Sequence, residues 1–232
     1  MSIINIKEID QKILAPDDHT SCETGNALEV DKLKKSIVGL PKVYNLKTGE
    51  LIADETNLVV LVGREYIVQK IINKRTSDVD YKDYQIRYFG VGSGGTDSGN
   101  TVGPYDNDTD LADKKKIHDG ATSDYKYIDS GYLKQIESDG SITIIQEDHT
   151  INTADGEETV TKYTAIKFIL KINEDEAKVD SDTFVFNEAG LYAVKYSDDD
   201  PTDDKILFAR FTTTDKTLSA NDGILIEWTI LV

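Results

Sequence analysis

Apolar and polar residues alternate most clearly in the second half of the chain. Ile166, Phe168, Leu170 and Ile172 fall on one side of an extended segment, with Lys167, Ile169 and Lys171 on the other. That two-residue period predicts a half-buried antiparallel strand. Strand propensity predicts others at 84–89, 142–146, 183–186, 191–196, 206–212 and 224–232. Asp155-Gly156, Ala189-Gly190 and Asp222-Gly223 punctuate the series. The acidic stretch 197–204 reads as a solvated hairpin tip. In the last segment Ile224, Ile226, Trp228, Ile230 and Val232 point one way, and Leu225, Thr229 and Leu231 the other. Both faces are apolar, which predicts a central strand or one covered by another subunit.

Ahead of this region the pattern changes. Residues 57–73 are apolar almost all around a helical wheel and rich in β-branched residues. The reading favoured is a helix buried on several sides, capped by Thr56; the alternative is two short strands meeting at Gly63. A short helix is predicted from Asn26, with Glu29 at capping-box spacing and a stripe of Val30, Leu33 and Ile37, ended by Gly39 and Pro41. Residues 41–55 read as a turn-rich link with Lys47-Thr48-Gly49 at a hairpin tip. The first 25 residues, with Ile3, Ile4, Ile6, Ile9 and Ile13, read as an arm. A loop rich in Gly, Asp, Asn and Thr follows the 84–89 strand, over about 93–125, long enough to be functional, subunit-contacting or mobile.

The expected fold is therefore mainly β (α+β), an antiparallel β-sandwich with one or two helices near the N-terminus. Residues 1–55 form an arm and short helix that dock on a neighbour. Residues 56–232 form the sandwich domain.

Composition narrows the function. Of 232 residues, 43 are acidic and 26 basic, a formal net charge of −17. That charge argues against nucleic-acid or anionic-membrane partners. The acids concentrate at 97–113, 147–158, 174–182 and 198–204, as a coating on the tips of a β domain. The longest apolar run, 58–62, is far short of a membrane span. Cys22 is the single cysteine, and the first 19 residues lack the pattern of a secretory signal.

Candidate chemistry is sparse. Gly90, Gly92 and Gly95 formally make G-x-G-x-x-G after a strand, but the following TDSGNTVGPYDNDTD cannot start the helix a dinucleotide site needs, so the motif reads as a flexible loop. Asp106, Asp108 and Asp110 have the spacing of the first EF-hand ligands, but Leu111 and Ile117 occupy the positions that need Gly and Glu. A looser calcium site is the one metal candidate, against an ordinary acidic loop. His19, His118 and His149 lack zinc spacing. No catalytic residue and no cofactor is expected. Tyr81, Tyr84, Tyr88, Tyr105, Tyr125, Tyr127 and Tyr132 cluster near polar loops and suit strand packing or a contact surface.

Two segments together resemble a family. The first is NLVVLVGREYI at 57–67, followed by YQIRYFGVGSGGT at 84–96 and DTDL at 108–111. The second is FARFTT at 208–213, Lys216-Thr217 and LIEWTI at 225–230. They are similar to tailed-bacteriophage virion proteins of the tail, neck and baseplate fibre-attachment type. There, a helix with Gly-Arg near its middle leads through a strand into a GxGxGGT loop ending in TDxxL, and an apolar strand with WTI closes the domain. The loop here is longer and more acidic than that pattern. The resemblance implies a virion structural protein assembled in the host cytoplasm, an adaptor or fibre-anchoring subunit. Its partners would be sister subunits in a homo-oligomer and other virion proteins, with Tyr66, Ile67, Tyr88, Phe89, Tyr105, Trp228 and Ile230 as interface candidates. A carbohydrate- or receptor-binding module using Tyr-rich loops is the alternative.

Overall fold

The computed structural model describes residues 38–55, 57–72, 80–119, 125–137, 140–152, 158–174, 176, 183–219 and 222–231. The expected arm and the helix from Asn26 lie outside them, as does the cap at Thr56. Residues 36–232 cluster as one compact unit. Its strands are β1 (Val38–Asn45), β2 (Leu51–Asp54), β3 (Asn57–Val59), β4 (Tyr84–Gly92), β5 (Thr96–Asp97), β6 (Asn100–Thr101), β7 (Tyr127–Ile128), β8 (Leu133–Gln135), β9 (Ile142–Asn152), β10 (Glu158–Ile172), β11 (Thr183–Ser197), β12 (Asp200–Ser219) and β13 (Ile224–Leu231). One α-helix among the described residues, α1 (Leu61–Ile72), sits between β3 and β4. Among the described residues no helix is long and apolar enough to cross a membrane.

Ten strands run in the order β7-β8-β4-β11-β12-β3-β1-β13-β10-β9, with β2 added beside β1, and each pairing is antiparallel. The order alone describes a ribbon; the side chains show that it doubles over. In a flat sheet β12 and β13 would lie three strand spacings apart, about 14 Å. Yet the Phe211 and Trp228 rings meet edge-on at 5.1 Å between centroids, and Phe186 packs on Phe211 at 6.1 Å. The link at β3 has three residues, two paired to β12 and two to β1. A sheet joined by so short a strand can fold there. The half β7-β8-β4-β11-β12 then faces the half β1-β13-β10-β9, and Phe89, Leu191, Phe211, Phe168, Ile226 and Trp228 fill the space between. The mainly β fold expected from the sequence is what forms.

Several local expectations need correction. The 57–73 segment is neither one helix nor two strands. It is β3, then α1 starting at Leu61, because Leu58 is held in two ladders. Gly63 lets α1 lie on β12: a Cβ there would stand 2.1 Å from the Phe208 carbonyl oxygen. Residues 41–55 are no link but the β1–β2 hairpin, with the turn at 46–48. Gly39 and Pro41 sit inside β1, opposite Ile230 and Trp228. Pro41 is tolerated there because it falls between the stretches that pair with β3 and β2. The 183–186 and 191–196 segments are one strand, β11, with Gly190 opposite Gly90 inside the ladder. β13 is central, as its two apolar faces predict, with β1 on one side and β10 on the other. The β11–β12 hairpin turns at Asp198-Asp199, both at positive φ, the conformation that two-residue hairpin loops favour.

Phe211 bridges the two halves, so its truncation tests the doubling over. Phe211→Ala is expected to cost about 3–5 kcal/mol, seen as a lower urea midpoint at unchanged slope. A loss within 1 kcal/mol, on the order of a surface change, contradicts the packing described.

Candidate functional site

The loop that follows β4 is held by two neighbouring residues of β11. Asn187 accepts a hydrogen bond from the Gly95 N–H at 2.7 Å. Its amide donates to the Ser93 carbonyl at 3.0 Å, the Thr96 hydroxyl at 3.0 Å and the Asp215 carboxylate at 2.8 Å. Glu188, with no exposed surface, accepts from the backbone N–H groups of Gly94 at 2.9 Å, Asp113 at 2.9 Å and Ala112 at 3.2 Å. The glycines are therefore not there for flexibility. A Cβ on Gly94 would meet the Ala112 Cβ at 2.5 Å, and one on Gly95 would meet the Asn187 carbonyl oxygen at 2.2 Å. The loop is glycine-rich because it lies against its anchor.

A buried carboxylate needs a cation, and β12 supplies it. Glu188 opposes Thr212, so Arg210 is its diagonal cross-strand neighbour. Arg210, 3% exposed, donates from Nε at 3.0 Å and from Nη2 at 2.6 Å to one Glu188 oxygen. Its Nη1 reaches Asp108 at 2.6 Å, and Asp108 in turn accepts from the Tyr105 N–H at 2.9 Å. The two carboxylates raise the guanidinium pKa against the opposing effect of burial, the larger single influence. Glu188, Arg210 and Asp108 thus tie two separate stretches of one loop to the sheet.

The calcium candidates diverge. Asp106 pairs with Arg64 at 2.8 Å, Asp108 with Arg210, and Asp110 with Lys114 at 2.8 Å. Asp110 also accepts from the Tyr192 hydroxyl at 2.5 Å. Protein cations, not a common point in space, collect the three carboxylates. Among the described residues no three His, Cys, Asp or Glu side chains converge as a metal site would require. Lys114 continues to Asp129 at 2.6 Å, which also pairs with Lys205 at 3.2 Å. Beneath this network Leu111 packs with Tyr88, Leu133, Tyr192 and Leu207 on the outer face of the sheet.

A second buried pair lies at the far end of the loop. Lys134 on β8, 1% exposed, donates to Glu176 at 2.6 Å and to the Lys171 carbonyl at 2.6 Å. Glu176 also accepts from the Tyr127 hydroxyl and from the Asn173 N–H at 2.8 Å. Burial pushes the Glu176 carboxyl pKa upward, but these donors outweigh it and hold the group below its usual range. For Lys134 burial wins over Glu176, and the ammonium pKa falls. The two directions oppose each other across one contact; the wealth of donors on Glu176 favours the ionised pair. A cavity of about 250 Å³ adjoins Glu176, walled by Val91, Ile117, Ile172 and Phe184.

A second concavity is apolar. A groove of about 730 Å³ opens between the two halves of the sheet. Tyr66 and Ile67 of α1, Ile86 of β4 and Phe208 of β12 form one wall; Ile142, Ile166, Phe168 and Ile230 form the other. Lys70 and Arg87 are its charged lining residues, both cationic in a chain dominated by acids. Tyr66 donates to the Tyr84 carbonyl at 3.3 Å, and burial pushes its phenol up to about 12. On β9 the groove-side residue Ile144 is 78% exposed.

The interface candidates separate accordingly. Ile67, Tyr66 and Ile230 line the groove, although Tyr66 and Ile230 are themselves largely buried. Tyr105 is exposed. Tyr88, Phe89 and Trp228 are internal: Phe89 and Trp228 belong to the core between the halves, and Tyr88 lies under the loop. Apolar character on both faces of β4 reflects two cores in one subunit. Sequence reasoning missed Asn187, Glu188, Arg210 and Lys134. Glu188 and Arg210 carry a signal: FVFNEAGLYAV and ILFARFTT each set one charge inside an apolar strand, and the signs are opposite.

No family model matches the chain, and neither a curated protein nor a solved structure does.

Removing the cation leaves a buried carboxylate without its counter-ion. Arg210→Met is expected to cost about 3–5 kcal/mol and to speed amide exchange at Gly94, Ala112 and Asp113. Adding Glu188→Gln to the same protein restores part of the stability. Unchanged exchange at those three amides contradicts the anchoring role.

Proposed function

We propose that the chain is a structural subunit of a bacteriophage particle, an adaptor or fibre-anchoring part of the tail, neck or baseplate. It acts by symmetric assembly with sister subunits and by contact with other virion proteins, not by catalysis. It is assembled in the host cytoplasm and resides in the virion. The observation that supports assembly is the uncovered apolar surface formed by the 730 Å³ groove and the exposed Ile144. The support for the phage setting is the resemblance at 57–67, 84–96, 108–111 and 208–230. Its Gly-rich loop has a structural role in this fold, as a surface pinned by Asn187 and Glu188. Its Gly63-Arg64 step seats α1 on β12 and ties it to Asp106.

A second reading, binding of glycans by Tyr-rich loops, draws on Tyr105 and Tyr125, 54% and 43% exposed. Retention on a glycan array that is lost with Tyr105→Ala or Tyr125→Ala supports it; no retention on any glycan removes it.

For the first reading, the protein is expected to self-associate in sedimentation equilibrium, more strongly as salt rises. Each copy carries a formal −17, and screening weakens the repulsion between copies. Mass spectrometry is expected to find the chain in purified particles. A protein monomeric at high concentration and absent from particles contradicts the proposal.

A further inference from the structure

β9 ends the sheet. Among the described residues it pairs with β10 alone, through eleven consecutive residue pairs without a register shift. Natural edge strands are shielded from other strands by charges, prolines, bulges or brevity. The first five residues of β9, Ile142-Thr143-Ile144-Ile145-Gln146, carry no charge, no proline and no bulge. Ile144 faces the same side as its partner Ile166, which opposes Ile230 on β13. Both partners line the groove. The row Ile144, Ile166, Ile230 therefore runs out of the groove and stops, uncovered, at the edge.

We propose that this edge receives the β9 strand of a second copy of the chain, antiparallel and centred on Ile144. The inference rests on the self-assembling part of the reading above, not on its phage part. A two-fold axis brings the same surface from both copies together, so the patch must complement itself. Charge selects the register. Centred on Ile144, the pairing sets Ile142 opposite Gln146 and Thr143 opposite Ile145. Glu147 and Asp148 then fall opposite Ser141 and Gly140, so no acid faces an acid. Centred on Glu147 or Asp148, the same strands would oppose like charges, which is destabilising between adjacent strands. In a chain with net charge −17, the neutral start of β9 is where two copies can approach. The two Ile144 side chains then cover each other, and the apolar row continues from one groove to the next.

Disulfide trapping tests the register. Cys22 is the only native cysteine, so a Cys22→Ser background is free of thiols. Directly opposed residues of an antiparallel pair have Cα atoms about 4.5–5.5 Å apart, within disulfide range. In that background Ile144→Cys is expected to give a covalent dimer on mild oxidation, while Thr143→Cys remains largely monomeric on a non-reducing gel. Ile144→Asp sets like charges opposite each other and is expected to raise the dimer dissociation constant by about tenfold or more. Ile144 is exposed, so folding is not at stake, and circular dichroism of each variant checks this. Oligomers that form without the Ile144→Cys crosslink overturn the inference and leave the assembly reading standing. So does a stronger crosslink from Thr143→Cys, which reports a shifted register. A monomer at all concentrations overturns both.

Discussion

The contact between the Phe211 and Trp228 rings, 5.1 Å apart, sets the architecture. Two strands lie between their own strands in the hydrogen-bonded order, so the contact exists only if the sheet is folded at β3. Once it is folded, one face of each half is committed to a shared core. The groove is the part of that space left unfilled, where Ile67 and Ile86 face Ile142 and Ile166 without closing on them.

The half that contains β4, β11 and β12 must then cover its other face, and a loop does so. Loops carry backbone N–H groups that cannot be buried without acceptors. Glu188 takes three of them and Asn187 takes a fourth. A buried carboxylate is costly unless it is paired, which explains Arg210 at the diagonal position of the next strand. The acidic loop is thus also a source of anions for the interior. Asp108 completes the guanidinium, and Asp110 meets Tyr192 and Lys114.

Strands with a clean period or apolar runs on both faces were legible in the sequence: 84–89, 166–172 and 224–231 all lie in strands. So was the hairpin tip at Lys47-Thr48-Gly49, because the turn there depends on local chemistry. The hinge at β3 was not legible, since three residues give no period and its partners lie at 38–39 and 209–210. Gly190 looked like punctuation because a glycine in sequence does not reveal the Gly90 opposite it. The site behaved in the same way. The Gly-rich loop could be seen but not its anchor, because Glu188 and Gly94 are 94 residues apart. Tyr88 and Phe89 looked like interface residues because a sequence cannot distinguish a second internal core from a neighbouring subunit.

Acidity has two uses in this fold, and the division between them bears on assembly. Asp108, Glu176 and Glu188 are spent inside, on lysine, arginine and backbone donors. Other acids stand exposed at tips such as Asp198-Asp199, and the sequence places Glu147 and Asp148 in the second half of β9. Exposed like charges keep copies apart over roughly a Debye length, about 8 Å at physiological salt. A surface guarded in this way admits a second copy only where the guard is missing. On the proposed pairing the neutral start of β9 and the groove wall beside it are such a place, because they carry exposed apolar surface at Ile144 and no acid over residues 142–146.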